Sequence, residues 1–234
     1  MNFSNLNKTA LTIALTVGVL SACGGGGDAT SPAETTTTPP ATTGGTPTPT
    51  PEPTPAPTPT SRFDYVPNGS GGNYGLNCVK DNTTGLIWEG KNPANSSLHF
   101  VGRTYTHFDS TTALQKRVGA SAPVAPTLAE VNAASNSIGL QNATNAEALC
   151  GFTNWRMPTV AELSSLQDTT VSAVSGGPAI NVTWFAFTLE KNYWASDAWS
   201  FADGGWVVGF QSGGGVGGNG RSSAISQGVR LVRN

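Results

Sequence analysis

Charge is what this sequence has least of. Asp, Glu, Lys and Arg make up 11% of its 234 residues, less than half the roughly 25% of an ordinary globular domain. From residue 61 onward eleven Lys plus Arg face eleven Asp plus Glu. No basic face exists for nucleic acid, and no strong field for an anionic membrane surface. Cysteine occurs three times and histidine twice, and His99 and His107 have no acid or cysteine at ligand spacing. A zinc module is therefore excluded, and both histidines read as loop residues, exposed or hydrogen-bonded. No apolar run reaches the roughly 18 residues of a membrane-spanning helix. The nucleophile elbow G-x-S-x-G is absent. GSGGNYG (69–75) has Tyr74 where the dinucleotide fingerprint needs its third glycine, and GGGVGGNGRSS (213–223) lacks the Gly-Lys-Ser/Thr of a phosphate loop. Both read as flexible loops. Nothing points to a cofactor.

What is present begins with an export signal. Lys8 and the amino terminus supply a short positive region, and ALTIALTVGVL (10–20) an apolar core too short to span a membrane. It ends in Leu20-Ser21-Ala22-Cys23, which resembles the lipobox of bacterial lipoproteins. That resemblance implies removal of residues 1–22 and acylation of Cys23. Two or more acyl chains anchor stably, at about 0.8 kcal/mol per buried CH₂. Gly24, not Asp, follows the cysteine, which by the same resemblance implies the outer membrane. Residues 23–61 then form a Gly/Thr/Pro-rich linker holding ten of the sixteen prolines. It has almost nothing to bury, so it does not fold. Its Thr-Pro run, Thr46 to Thr60, favours extended polyproline II at about 3.1 Å per residue. With Cys23 assigned to lipid, Cys78 and Cys150 remain. In an oxidising compartment such a pair bonds, the alternative being two buried thiols.

Residues 62–234 read as one α+β domain. CVKDNTTGLIWE (78–89) has the pattern of two strands around an Asn-Thr-Thr-Gly turn. Residues 90–126 have no clean period. Thr127-Leu-Ala-Glu130 is a capping box that predicts a helix to about Ser137, with Gly139 as its C-cap. Thr159-Val-Ala-Glu162 is a second capping box, preceded by Pro158, for a helix that ends near Asp168 with Leu163 and Leu166 inward. The runs Tyr193–Ala195, Trp206–Phe210 and Val229–Val232 predict a C-terminal antiparallel sheet. Two short helices and that sheet make up the expected architecture.

Five blocks carry a family resemblance: TGLIWE (84–89), LCGFTNWRMPTVAEL (149–163), YWASD (193–197), WVVGF (206–210) and VRLVR (229–233). In this order they resemble the DUF1566 family, the domain found at the C-terminus of a bacterial collagen-like adhesin. Met157 stands where that family more often has Leu. The resemblance implies a C-type-lectin-like fold, related to formylglycine-generating enzymes, and a surface or secreted location. For the adhesin it implies attachment to sulfated polysaccharide. The collagen-like repeat of that adhesin is absent here, replaced by the Thr-Pro tether. The cysteines that formylglycine-generating enzymes use late in the domain are also absent, since none follows Cys150.

In the densest block Trp155 reads as a core residue, and Arg156 as a bridge to backbone carbonyls or to Glu162. Trp155, Arg156, Pro158, Thr159 and Glu162 thus form a structural motif. The ligand-binding candidates lie between the late strands: Asp197, Trp199, Asp203 and Trp206 around a hairpin loop, and Arg221 in the glycine-rich loop. An exposed tryptophan stacks on the apolar face of a sugar while Asp bonds its hydroxyls. Asp197 and Asp203 offer too few oxygens for calcium. The expected protein is a lipid-anchored, noncatalytic binding module for glycan or extracellular matrix; the alternative is a structural or self-assembling envelope component. The oligomeric state stays open. Cys23→Ser is expected to move the protein from the detergent to the aqueous phase when cells are partitioned. Retention in the detergent phase would remove the lipid assignment.

Overall fold

The computed structural model describes residues 61–171, 177–222 and 224–234. The export signal, Cys23 and the linker to residue 60 lie outside the described residues.

Two antiparallel sheets and short helices make an α+β domain. In the first sheet β1 (Phe63–Tyr65), β2 (Cys78–Asp81) and β3 (Ile87–Glu89) pair in turn. The β2–β3 turn closes on Asp81, whose side chain accepts from Thr83 N at 2.9 Å and whose carbonyl accepts from Gly85 N at 2.7 Å. The helices are α1 (Leu128–Val131), α2 (Ser137–Ala146) and α3 (Val160–Ser165). The second sheet is β4 (Asn192–Ala198), β5 (Gly204–Gly209) and β6 (Val216–Gly220), and β7 (Val232–Arg233) closes the chain.

Three expectations are corrected here. The last strand does not join the late sheet: β7 pairs with β3, Trp88 opposite Val232, so the ends of the domain share one sheet. The first capping box does form, but α1 stops at Val131 and a separate helix, α2, begins at Ser137. Gly139 lies inside α2 and is not a C-cap; a Cβ there would stand 2.0 Å from the carbonyl oxygen of Ala133. Close approach of two backbones, not a turn, requires that glycine. Finally, the glycine-rich segment is not a flexible loop, since Val216–Gly220 is laddered to β5 as β6.

Alternation along the strands sends side chains into two hydrophobic clusters. Val79, Trp88, Val232, Tyr193, Val208 and Phe210 enter one with Leu163 of α3 and Leu166, which caps its end. Cys78, Leu231, Trp194 and Val207 enter the other with Leu140, Trp155 and Met157. Cys78 and Cys150 form a disulfide across 72 residues, with Cα atoms 6.6 Å apart. It lies inside the second cluster.

Residues 90–126 contribute no strand or helix, as the lack of period predicts. Buried polar side chains hold them instead. Asn136 donates to the carbonyls of Phe108 and Val131 at 2.8 and 2.7 Å and accepts from Phe108 N at 2.8 Å. It ties the loop to both helices at the α1–α2 junction and satisfies backbone groups that no ladder reaches.

Replacing both Cys78 and Cys150 by Ser is expected to lower unfolding free energy by about 4 kcal/mol, the chain-entropy value for a loop of this length. Urea unfolding monitored by tryptophan fluorescence checks this; an unchanged midpoint would mean that the bridge constrains nothing.

Candidate functional site

The CGFTNWRMPTVAEL segment (150–163) is a junction of four elements. Trp155 is buried, donates through Nε1 to Leu149 O at 3.1 Å, and exchanges two bonds with Asn145 of α2 through its backbone. Arg156 pairs its backbone with Val232 of β7, at 2.9 Å in both directions. Its guanidinium donates to both carboxylate oxygens of Glu162 at 2.8 and 2.7 Å and to Asn234 Oδ1 at 2.7 Å. Glu162 in turn closes the capping box with Thr159 at the start of α3. These bonds hold the Glu162 carboxyl below its ordinary range: Arg156 contributes most, against burial, and the Thr159 amide assists. The segment also reaches β4. Pro158 O accepts from Ser196 N at 2.8 Å, and Asp197 Oδ2 accepts from Val160 N at 2.5 Å. Asp197, a ligand candidate by sequence, is thus occupied at the first turn of α3.

Beyond Asp197, β4 runs into the 199–203 connection, and here an open cleft forms. Its volume is about 280 Å³, with Trp199 and Phe201 on one side and Asp109, Gln115 and Ser196 among its polar lining. A second cleft of about 220 Å³ adjoins it, sharing Trp199, Phe201 and Gly204 and adding Asp203, Gly218 and Asn219. Trp199 lies flat over the glycines of β5 and β6: a Cβ on Gly218 would stand 2.1 Å from its ring. Only glycine leaves that space. Trp206 meets Trp199 edge-on at 4.3 Å between centroids and donates to Ala198 O at 3.2 Å, so it supports that ring and lines neither cleft. Phe201 is 69% exposed.

Arg221 is placed differently from expectation. It does not project from a mobile loop; it is 4% exposed and forms the cleft floor. Its two terminal nitrogens donate to Asp109 Oδ1 and Oδ2 at 2.9 and 3.1 Å. Asp203 is likewise engaged, accepting from Arg117 Nε at 2.9 Å. Of the five residues singled out by sequence, Trp199, Arg221 and Asp203 line the clefts, while Asp197 and Trp206 support them. Phe201, Asp109, Gln115 and Ser196 were missed. Phe201 had a readable signal, an aromatic two residues from Trp199 in the same loop; Ser196 lies just before that loop on β4, and only Asp109 and Gln115 come from distant chain positions.

Below the floor, His107 Nδ1 is 2.6 Å from Ser137 Oγ and Nε2 is 3.8 Å from Asp109 Oδ2. A serine, a histidine and an aspartate thus line up, but Ser137 and His107 are sealed in the core. Burial, helped by the Arg221 charge, pushes the His107 imidazole down to about 3, so it stays neutral. Among the described residues no group of three His, Cys, Asp or Glu side chains is placed to hold a metal. None of the described helices is long and apolar enough to cross a membrane.

A family model, the Lcl C-terminal domain, matches residues 77–233. The chain belongs to this family. No curated protein and no solved structure matches it. The match covers α1 to α3 and every strand except β1, so both the junction and the clefts lie within the Lcl C-terminal domain.

One further cluster in this Lcl C-terminal domain escaped the sequence reading. Glu89 of β3 has no exposure. Its Oε1 accepts from Lys91 Nζ at 2.5 Å and lies 2.6 Å from His99 Nδ1, and its Oε2 accepts from Leu231 N at 2.7 Å. The other nitrogen of His99 meets Glu147 at the end of α2. The sequence suggested a lone loop histidine; the fold makes it a buried bridge between two carboxylates. Burial by itself would raise the Glu89 pKa, yet Lys91 and His99 bring it down to about 2. Burial would lower the His99 pKa, yet Glu89 and Glu147 raise it above the ordinary value.

The two histidines therefore act in opposite directions on stability. His107, depressed, contributes stability that is lost as pH falls from 6.5 toward about 3. His99, raised, contributes stability that is complete below 6.5 and lost as pH rises above it. Glu89 adds a further loss as pH falls from 4.5 toward about 2. The joint contribution of these three groups is expected to peak near pH 6.5 in urea unfolding, with His99→Gln removing its loss above pH 6.5 and His107→Gln its loss below it. Identical profiles for His99→Gln and the parent would show that His99 carries no charge in the fold.

Proposed function

We propose that this is a lipid-anchored protein of the cell envelope, held at the outer membrane through Cys23, whose tether presents a C-type-lectin-like, noncatalytic head that binds glycan at the tip of β4–β5. The observation that carries this reading is the pair of clefts walled by Trp199 and the exposed Phe201, with Asp109, Gln115 and Ser196 alongside. Aromatic faces bury the C–H side of a sugar ring, while carboxylate, amide and hydroxyl groups take its hydroxyls. The arrangement rests on a rigid sheet, as recognition loops usually do. Noncatalysis is supported by the occupation of the polar groups: Ser137 is buried, and Asp109 is committed to Arg221.

A second reading, self-assembly, is favoured by one observation. Among the described residues β6 has a hydrogen-bonded strand neighbour on one side only, β5, which leaves its other edge as a place for a further strand.

The full chain, purified in detergent, is expected to be retained saturably on an oligosaccharide array and released by the free sugar. Phe201→Ala, at an exposed position, should weaken retention about tenfold, the equivalent of one aromatic contact. Retention unchanged in both Phe201→Ala and Trp199→Ala would place binding elsewhere. No retention, with mass that rises with protein concentration, would favour self-assembly.

A further inference from the structure

We infer that the ligand is an uncharged oligosaccharide of at least two sugar rings, one in each cleft, crossing the aromatic wall made by Trp199 and Phe201. This rests on the glycan-binding reading and adds charge and length to it.

Charge follows from the ion pairs. Three charged groups line the clefts, Asp109, Arg221 and Asp203, and each is already paired. Arg221 gives both terminal nitrogens to Asp109, and Asp203 holds Arg117. A sulfate or carboxylate bonding Arg221 would have to break a bidentate pair on a guanidinium that is almost wholly buried. That would leave Asp109 without its countercharge, a costly state at low exposure. It would also meet the Asp109 carboxylate itself, which is ionised because Arg221 and Gln115 bond to it against the effect of burial. A sugar hydroxyl faces no such conflict. It donates to the free lone pairs of Asp109, whose side chain keeps 32% exposure. A neutral ligand suits a site whose charges already cancel.

Length follows from the geometry. Each cleft falls below the roughly 300 Å³ at which drug-sized sites begin, at about 280 and 220 Å³. Neither alone reaches the size of a drug-sized site, so a longer ligand would use both. The two adjoin, because Trp199, Phe201 and Gly204 line both. Polar groups occur on both sides, Ser196 and Asp109 in one cleft and Asn219 in the other. Gly218 and Gly220 keep the second floor low.

The test uses the full chain in detergent with three probe sets: neutral disaccharides and trisaccharides, their sulfated counterparts, and the constituent monosaccharides, each titrated at low and physiological salt. Neutral oligosaccharides are expected to bind at least about tenfold more tightly than the monosaccharides and the sulfated forms. Their affinity should change little with salt, since the ligand itself carries no charge. Asn219→Ala should weaken the disaccharide while leaving the monosaccharide in the first cleft unchanged, and Phe201→Ala should weaken both. Preferential binding of the sulfated forms, falling with salt, would overturn the charge assignment and leave glycan binding intact. Equal affinity for one ring and two, or an Asn219→Ala protein identical to its parent, would overturn the length assignment. Failure of every saccharide to bind would remove the glycan reading itself.

Discussion

Glu89 is a carboxylate with no exposure, and the fold is arranged around satisfying it. A buried charge is tolerated only when partners surround it. The partners here come from Lys91, His99 and the backbone of Leu231, while Arg230 donates to the Glu89 carbonyl at 2.6 Å. One residue of β3 thus fixes the start of the irregular 90–126 segment and the approach to β7. His99 extends the chain of contacts to Glu147 at the end of α2. An irregular segment of this length has few ladder bonds to hold it, so its position has to come from side chains. Glu89 and Asn136 supply them at two places.

The WRMPT junction applies the same logic nearer the surface. Arg156 and Glu162 form a two-bond pair, and both also bond backbone, so the segment joins β7, α2 and α3. Its link to β4 through Pro158 and Val160 sits immediately before the loop that carries Trp199 and Phe201. No junction residue lines either cleft, yet the bond from Ser196, which does, to Pro158 sets where the cleft begins. That is how a structural motif serves a binding surface: it removes the freedom that binding would otherwise have to remove.

At the tip, aromatic rings and glycines are complementary choices. Trp199 can lie flat because β5 and β6 present glycine beneath it, and Phe201 remains exposed beside it. The strands lose side-chain packing in exchange for a smooth support, which explains an otherwise weak strand sequence, VGGNG. Ion pairs between Arg221 and Asp109 and between Arg117 and Asp203 brace the tip from the 109–117 segment. They also cancel its charge.

Some of this was legible in the residues alone. Both capping boxes, the turn at 82–85, the inward Leu163 and Leu166, and the Cys78–Cys150 pairing rest on local patterns or on counting, and local chemistry decides them. Trp155 and Arg156 were legible as scaffold because they precede a helix start. What could not be read was set by contacts between distant positions. α2 was hidden by Gly139, a poor helix residue retained because a backbone passes 2.0 Å from where its Cβ would be. β6 looked like a loop because its glycines answer to Trp199, not to strand propensity. Arg221 looked free because Asp109 lies 112 residues away, and His99 looked solitary because Glu89 and Glu147 meet it only after folding. The sequence by itself determined the starts of α1 and α3 and the disulfide, whose causes lie within a few residues or in a count of thiols. The tertiary structure decided which charges cancel, which glycines are floors and which aromatics stay exposed, because each depends on a partner that only the fold brings within bonding distance.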